Sequence, residues 1–285
     1  MPRFNKHIII VGTARSGTSW LSETMAQTRR YRMLFEPEQE TRTKLGYLLC
    51  DQWLTKPSDS KAAHNYLKQV FANRVDCDWI AQNSNRNYKM HLWPLLPKKF
   101  IIKFVRCNLS AHYMNTAFGI PVVHVIRNPY EVLASQSRVN FPWLVDLSYF
   151  KSQKELVAFI QKEFNLDIII SSNYTDLQLK TLRWCIENII PLHVLEVKPS
   201  KNYRVVKYED LVADTNVFCD ICEEFNIEYS KDIERIIALP SSKAHSKGTL
   251  SNSKTRDSLF SASELKEINM ILDIFGMNMY PKITG

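Results

Sequence analysis

The sequence predicts an α/β fold: a central parallel sheet flanked by helices. Three observations carry this. Short apolar runs alternate with helical patterns through residue 138, and Ile8–Val11, RMLFE at 32–36, FIIKFV at 100–105 and VVHVI at 122–126 each read as a buried strand. Two of these strands stop at turns suited to starting a helix, Gly12 to Gly17 and Arg127-Asn128-Pro129. The chain of 285 residues, 45% apolar, is long enough to bury a sizeable core. No repeat, low-complexity tract or linker interrupts it, so residues 1–285 read as one domain.

The elements follow in order. Ile8 to Val11 forms the first strand, and Thr18 opens a helix running to about Gln27. The second strand ends at Glu36-Pro37, where proline discourages helix. Residues 41–75 read as mixed helix and loop, broken at Lys56-Pro57-Ser58, and Tyr88 to His91 fits either strand or loop. Phe100 to Val105 is a strand with one charge inside it, Lys103, which is expensive unless paired or facing a site. Asn108 to Phe118 is a helix ended by Gly119; Val122 to Ile126 is a strand, and Tyr130 to Arg138 a helix behind the Asn128 N-cap. Residues 140–200 are mostly helical, with Leu177 to Ile190 one helix stopped at Pro191. Tyr203 to Lys207 is a further strand, followed by Tyr208-Glu-Asp-Leu211 and by helices over about 214–225 and 231–238. Pro240 to Ser258 reads as a long mobile loop, and Ser261 with Glu264 forms a capping box that starts the last helix, to about Phe275.

Bulk properties narrow the classes. The net charge of +8 suggests an anionic ligand or surface, but Lys and Arg are dispersed and mostly read as a solvated basic surface. No aromatic–basic recognition pattern favours nucleic acid. There is no secretory signal and no apolar run of membrane-spanning length, so a cytoplasmic protein without membrane association is expected. In that compartment the six cysteines remain reduced, and Cys219-x-x-Cys222 has no second pair at zinc spacing.

The stretch IIIVGTARSGTSWL at 8–21 is the centre of the functional reading. A strand that feeds a Gly-bounded turn and then a helix N-terminus presents free backbone N–H groups and the positive end of the helix dipole to an anion. The spacing is that of a phosphate loop, but Thr18 and Ser19 follow Gly17 where nucleoside triphosphatases have Lys-Ser/Thr, and the cation stands earlier, at Arg15. This predicts a cradle for a nucleotide phosphate and argues against a kinase or ATPase. A tight turn that binds nothing is the alternative. Arg127 leaves the end of its strand while Ser135 lies about two turns into the following helix, so a fork and a hydroxyl can converge on one phosphate; a surface salt bridge for Arg127 and a solvent-facing helix position for Ser135 are the alternatives.

Three stretches together resemble the sulfotransferases that use 3′-phosphoadenosine 5′-phosphosulfate (PAPS). GTARSGTSWL at 12–21 is similar to their 5′-phosphosulfate loop, and HVIRNPYEVLASQ at 124–136 to their 3′-phosphate site, an Arg and a Ser eight residues apart. VVKYEDLV at 205–212 is similar to their strand ending in Tyr-Glu-Asp-Leu, and Lys247-Gly248 to their C-terminal lid. The resemblance implies a P-loop NTPase-like sulfotransferase fold and PAPS as cosubstrate, leaving 3′-phosphoadenosine 5′-phosphate (PAP), with no metal. By its positions, Arg15, Ser16, Gly17, Thr18 and Ser19 hold the 5′ end, Arg127 and Ser135 the 3′-phosphate, Tyr208 neighbours adenine, and Lys247 and Gly248 close over the site. Trp20 is either an adenine platform or a core tryptophan.

The implied reaction is in-line sulfuryl transfer to a hydroxyl or amine. Charge develops on the departing oxygen, and Arg15 is the first candidate to stabilise it. Lys103, 24 residues before Arg127, is the second and matches the spacing of the cytosolic family's strand lysine. Two residues compete as base. Glu36 in LFEP resembles the acidic residue of carbohydrate and tyrosylprotein sulfotransferases; His91 in YKMHLWPLLP resembles the Lys-x-His-Leu-Pro base of cytosolic ones. His91 is 36 residues from Arg127, where the cytosolic alignment puts Val105, so Glu36 is favoured. Residues 139–152, with Phe141, Trp143, Tyr149 and Phe150, either line an aromatic acceptor pocket or pack in the core. The expected acceptor is a small molecule, as in natural-product tailoring (secondary metabolism); a carbohydrate acceptor, and in another class a non-catalytic nucleotide-binding protein or a P-loop kinase, are the alternatives. Oligomeric state stays open, with a homodimer one option.

Overall fold

A computed structural model describes residues 4–27, 31–75, 77–82, 99–239, 241 and 259–284. His91, Lys247, Gly248 and nearly all of the loop expected at 240–258 lie outside the described residues. Five strands form one sheet: β1 (Ile8–Val11), β2 (Tyr31–Phe35), β3 (Lys99–Lys103), β4 (Val122–Ile126) and β5 (Tyr203–Lys207). Their order is β2-β3-β1-β4-β5, and every pairing is parallel. β1 is central and its connection leaves toward β2, while that of its neighbour β4 leaves toward β5. The connections diverge between these two strands, which opens a crevice at their carboxyl ends where open α/β sheets bind ligands.

Helices cover both faces. In chain order they are α1 (Thr18–Met25), α2 (Lys61–Phe71), α3 (Asp78–Ala81), α4 (Ala111–Phe118), α5 (Pro129–Gln136) and α6 (Ser148–Lys151). Then come α7 (Lys154–Phe164), α8 (Asp176–Val197), α9 (Tyr208–Ala213), α10 (Thr215–Glu224), α11 (Ile233–Ile237) and α12 (Ala262–Ile274). Strand alternation divides the core. Ile9, Val11, Ile102 and Phe104 pack on one face against Leu67 and Phe71 of α2 and Met114 of α4. Ile8, Ile10, Ile101 and Val123 pack on the other against Leu21 and Met25 of α1 and Phe218 of α10. A third apolar cluster joins α5, α7, α8 and α12 around Trp184 and Ile268. None of the described helices is long and apolar enough to cross a membrane.

The helix expected to stop at Pro191 does not stop: α8 runs through it to Val197. An internal proline loses a backbone hydrogen bond and crowds the preceding turn, at about 3 kcal/mol. Here Ile186, Ile190 and Pro191 are buried, and the capping box of Thr175 with Gln178 secures the start of the helix. Packing overrides propensity.

Candidate active site

The loop after β1 is shaped by two glycines. A Cβ on Gly12 would lie 2.5 Å from the Val125 carbonyl oxygen and 2.8 Å from the Thr18 methyl, so only glycine lets β1, β4 and α1 meet there. Gly17 has φ 89°, a left-handed conformation that costs glycine nothing, and a Cβ on it would enter the Tyr208 ring. Gly17 is also the N-cap of α1 and has no side chain to cap it, so the N–H groups of the first turn face the crevice without that competitor. Thr18 is buried and Ser19 half-buried at that turn. The hydroxyl of Ser16 is buried with no hydrogen-bond partner among the described residues. Two helices hold the loop from behind: Asn188 Nδ2 of α8 donates to Thr13 Oγ1 at 2.8 Å, and Gln136 Nε2 of α5 donates to the Ala14 carbonyl at 3.0 Å.

Arg127, just beyond β4, reaches across to this loop. Its Nη1 donates to the Arg15 carbonyl at 3.2 Å, its guanidinium lies 4.6 Å from the centre of the Tyr208 ring, and Nη2 pairs with Glu131 at 2.9 Å. Arg15 Nε donates to Ser135 Oγ at 3.0 Å. These bonds join the two motifs directly. Burial, and then the like charges of Arg127 and Arg138, hold the Arg15 guanidinium below the usual arginine range. Glu209, next to Tyr208, accepts the Asn128 N–H at 2.9 Å and so ties the end of β5 to the turn after β4. Trp20 is buried in the α1 core, donates Nε1–H to the Ile237 carbonyl at 3.1 Å, and meets Tyr208 edge-on.

Lys103 and Glu36 meet on the other side of β1. Phe35 of β2 is in register with Lys103 of β3, which is in register with Ile10 of β1. Lys103 Nζ forms an ion pair with Glu36 Oε1, with the two side chains 3% and 11% exposed. The ammonium also lies 4.4 Å from the centre of the Phe35 ring. Gln39 Nε2 donates to Glu36 Oε2 at 2.9 Å, the Glu36 N–H donates to the Lys103 carbonyl at 2.9 Å, and Glu36 itself has φ 42°. A non-glycine residue held there is strained, which the surrounding bonds over-determine.

Several residues here were not legible as site residues. Glu38 is fully buried; its Oε1 accepts the N–H groups of Val105 (2.7 Å) and Arg106 (3.2 Å), and its Oε2 has no hydrogen-bond partner among the described residues. Burial, then the nearby Glu36 carboxylate, push Glu38 up to about 7. Arg106 and Arg183, dispersed charges that read as surface, are both buried and share Asp51, at 2.6 and 3.0 Å. Arg183 also pairs with Glu187 at 2.9 Å, and Arg106 with Glu40, which accepts from Tyr149 OH. The aromatic segment thus docks on the loop that begins at Glu36. Phe150 is in the core, whereas Phe141 is 38% exposed and stacked on Trp143 with ring planes 8° apart. One signal was available in the sequence: Glu131 lies four residues after Arg127 on a helix, the spacing of an ion pair.

No curated protein matches the chain by sequence. Among solved structures, the sulfotransferase domain from the curacin biosynthetic pathway aligns with 15% identity over 96% of this chain and 98% of that one, TM-score 0.48. The sulfotransferase domain from the Synechococcus PCC 7002 olefin synthase aligns with 17% identity over 96% and 95%, TM-score 0.47. Mouse sulfotransferase SULT7A1 complexed with PAP aligns with 13% identity over 96% and 85%, TM-score 0.45. The family model of the sulfotransferase domain matches residues 5–268, nearly the whole chain, and with it the protein belongs to the sulfotransferase family.

Proposed function

We propose that the protein transfers a sulfuryl group from PAPS to a hydroxyl or amine of a small-molecule acceptor. The observation that carries this is the direct bonding of the phosphate loop to the Arg127 motif, with Arg127 Nη1 donating to the Arg15 carbonyl at 3.2 Å and Arg15 Nε to Ser135 Oγ at 3.0 Å. The residues present fit a doubly phosphorylated adenosine. Guanidiniums gathered around Arg15 and Arg127 suit one phosphate. The uncapped first turn of α1 and the unpartnered Ser16 hydroxyl suit the other. Thr18 and Ser19 add hydroxyl donors at that turn, and the face of Tyr208 closes the cleft floor beneath Arg127.

When bound, the nucleotide supplies an activated sulfuryl group. The chain supplies the rest. Glu36 takes the acceptor proton on Oε2, the carboxylate oxygen that is not paired with Lys103. Lys103 fixes that carboxylate and places positive charge at the carboxyl end of β3, beside the phosphate loop. The stacked Phe141 and Trp143 offer an apolar surface to the acceptor body, in keeping with a small aromatic or lipophilic natural product.

Calorimetry tests the reading with PAP and with adenosine 5′-phosphate, which lacks the 3′-phosphate. The wild-type protein is expected to prefer PAP strongly. Arg127→Ala should lose about 100-fold in PAP affinity, the worth of one to two charge-assisted bonds, and little for adenosine 5′-phosphate. Equal binding of the two nucleotides by the wild-type protein overturns it.

A further inference from the structure

The stretch from Glu36 to Asp51 sorts its charges by direction. Each of its carboxylates is engaged with another element: Glu36 with Lys103, Glu38 with the Val105 and Arg106 N–H groups, Glu40 with Arg106, and Asp51 with Arg106 and Arg183. Its cations, Arg42 and Lys44, are exposed instead, and their side chains make no hydrogen bond or ion pair among the described residues. The acids that would neutralise them along the chain are consumed elsewhere. The outer side of the stretch therefore carries uncompensated positive charge.

Arg42 is also held in place. Its guanidinium lies 5.2 Å from the centre of the Trp79 ring. Trp79, half-buried on α3, donates Nε1–H to the Glu36 carbonyl at 3.3 Å and meets Phe35 edge-on with ring centres 5.3 Å apart. Lys103 Nζ is 4.4 Å from the centre of that Phe35 ring. Two rings in a row thus separate Arg42 from the pair of Lys103 and Glu36. The backbone makes the same connection: Gln39 donates its side-chain amide to Glu36 Oε2 at 2.9 Å, and its carbonyl accepts the Arg42 N–H at 3.1 Å. A guanidinium resting on an indole has less rotamer freedom left to lose on binding. Its N–H edge still matches an oxyanion.

We infer that Arg42, seated on Trp79 and supported by Lys44, binds an oxyanion of the acceptor, a carboxylate or a phosphate. The acceptor then joins a hydroxyl or amine at Glu36 to an anionic group beyond the two rings. The assignment deepens the acceptor reading above and rests on Glu36 as the base. Lys103 is already neutralised by Glu36, so on this stretch the free cations that attract an anion are Arg42 and Lys44. This sets the direction in which the acceptor lies.

The probes are ω-hydroxydecanoate and hydroxyphenylpropanoate, their methyl esters, and ω-hydroxydecyl phosphate, bound to the full chain in the presence of PAP. The quantity read is the ratio of affinities, anion over ester. The wild-type protein should favour at least one anion about 10-fold, and rising ionic strength should shrink that ratio. Arg42→Gln should bring the ratio to within about threefold of one, and Arg42→Lys should keep part of it. Trp79→Leu should lower it without removing any charge, because the platform is lost. The tighter of the carboxylate and the phosphate identifies the oxyanion. Parity of anions and esters in the wild-type protein, or a ratio unmoved in Arg42→Gln, overturns the assignment. Failure of the base reading looks different: Glu36→Gln would then sulfate the probes as fast as wild type, with the affinity ratio intact.

Discussion

The buried pair of Lys103 and Glu36 makes a prediction that needs no acceptor. Both side chains are nearly out of water, at 3% and 11% exposure. Removing one charge from such a pair strands the other and costs about 3–5 kcal/mol, whereas removing both is often close to neutral. Glu36→Gln leaves an uncompensated ammonium against the Phe35 ring. Lys103→Met leaves a carboxylate whose remaining side-chain partner is the Gln39 amide. Each single variant should therefore lose about 3 kcal/mol, and the double variant close to nothing rather than the additive value of about 6. Urea unfolding of the four proteins gives the cycle, with a fall in melting temperature of about 6–12 °C for each single variant as a second readout. The pair's catalytic role separates from its structural one in the double variant, which should recover stability yet stay slower than wild type by about 100-fold or more in turnover. PAP affinity should hold within about threefold in Glu36→Gln, because the Arg127 motif does not contact Glu36. Additive stability losses would refute the coupling, and full turnover in Glu36→Gln would refute the base.

Two further outcomes follow from the same region. Glu38 holds its proton up to about 7 in the folded protein, against about 4.3 in an unfolded chain, so the folded state binds more protons between those values. Its contribution to stability is full below about pH 4.3 and is lost as pH rises through 7, and Glu38→Gln should flatten that part of the melting-temperature profile between pH 5 and 8; an unchanged slope would show that Glu38 is not the group titrating. Gly17→Ala places a Cβ at φ 89° and into the Tyr208 ring, and should cost about 1–2 kcal/mol or more in urea unfolding while weakening both nucleotides together; wild-type stability would mean that the Tyr208 contact is slack.

The strands were legible because parallel strands buried on both faces write themselves as unbroken apolar runs. Ile8–Val11, Val122–Ile126 and Tyr203–Lys207 are strands with the limits read from the sequence. FIIKFV was read two residues too far: β3 ends at Lys103, where its pairing with β2 ends, and Phe104 and Val105 remain buried beyond it. The glycine turn and the Asn128-Pro129 helix start were legible for the local reason that their backbone demands are local. What was hidden depends on contacts far apart in the chain. The partner of the Arg15 side chain is 120 residues away, and that of Lys103 is 67 residues away. Burial of Arg106, Arg183, Asp51 and Glu38 was hidden for a related reason: a charged residue reads as surface unless its counter-charge is visible nearby, and here the counter-charges come from other loops.

The shared use of Asp51 by Arg106 and Arg183 has a consequence for engineering this enzyme. Three separate segments, the stretch from Glu36 to Asp51, the turn after β3 and the middle of α8, are bolted through one carboxylate, and the Tyr149 hydroxyl fastens a fourth to Glu40. Transplanting the stretch from Glu36 to Asp51 from a relative would strand both guanidiniums away from water, and transplanting either arginine's segment would leave Asp51 short of a counter-charge, so loop grafting here has to carry the three together.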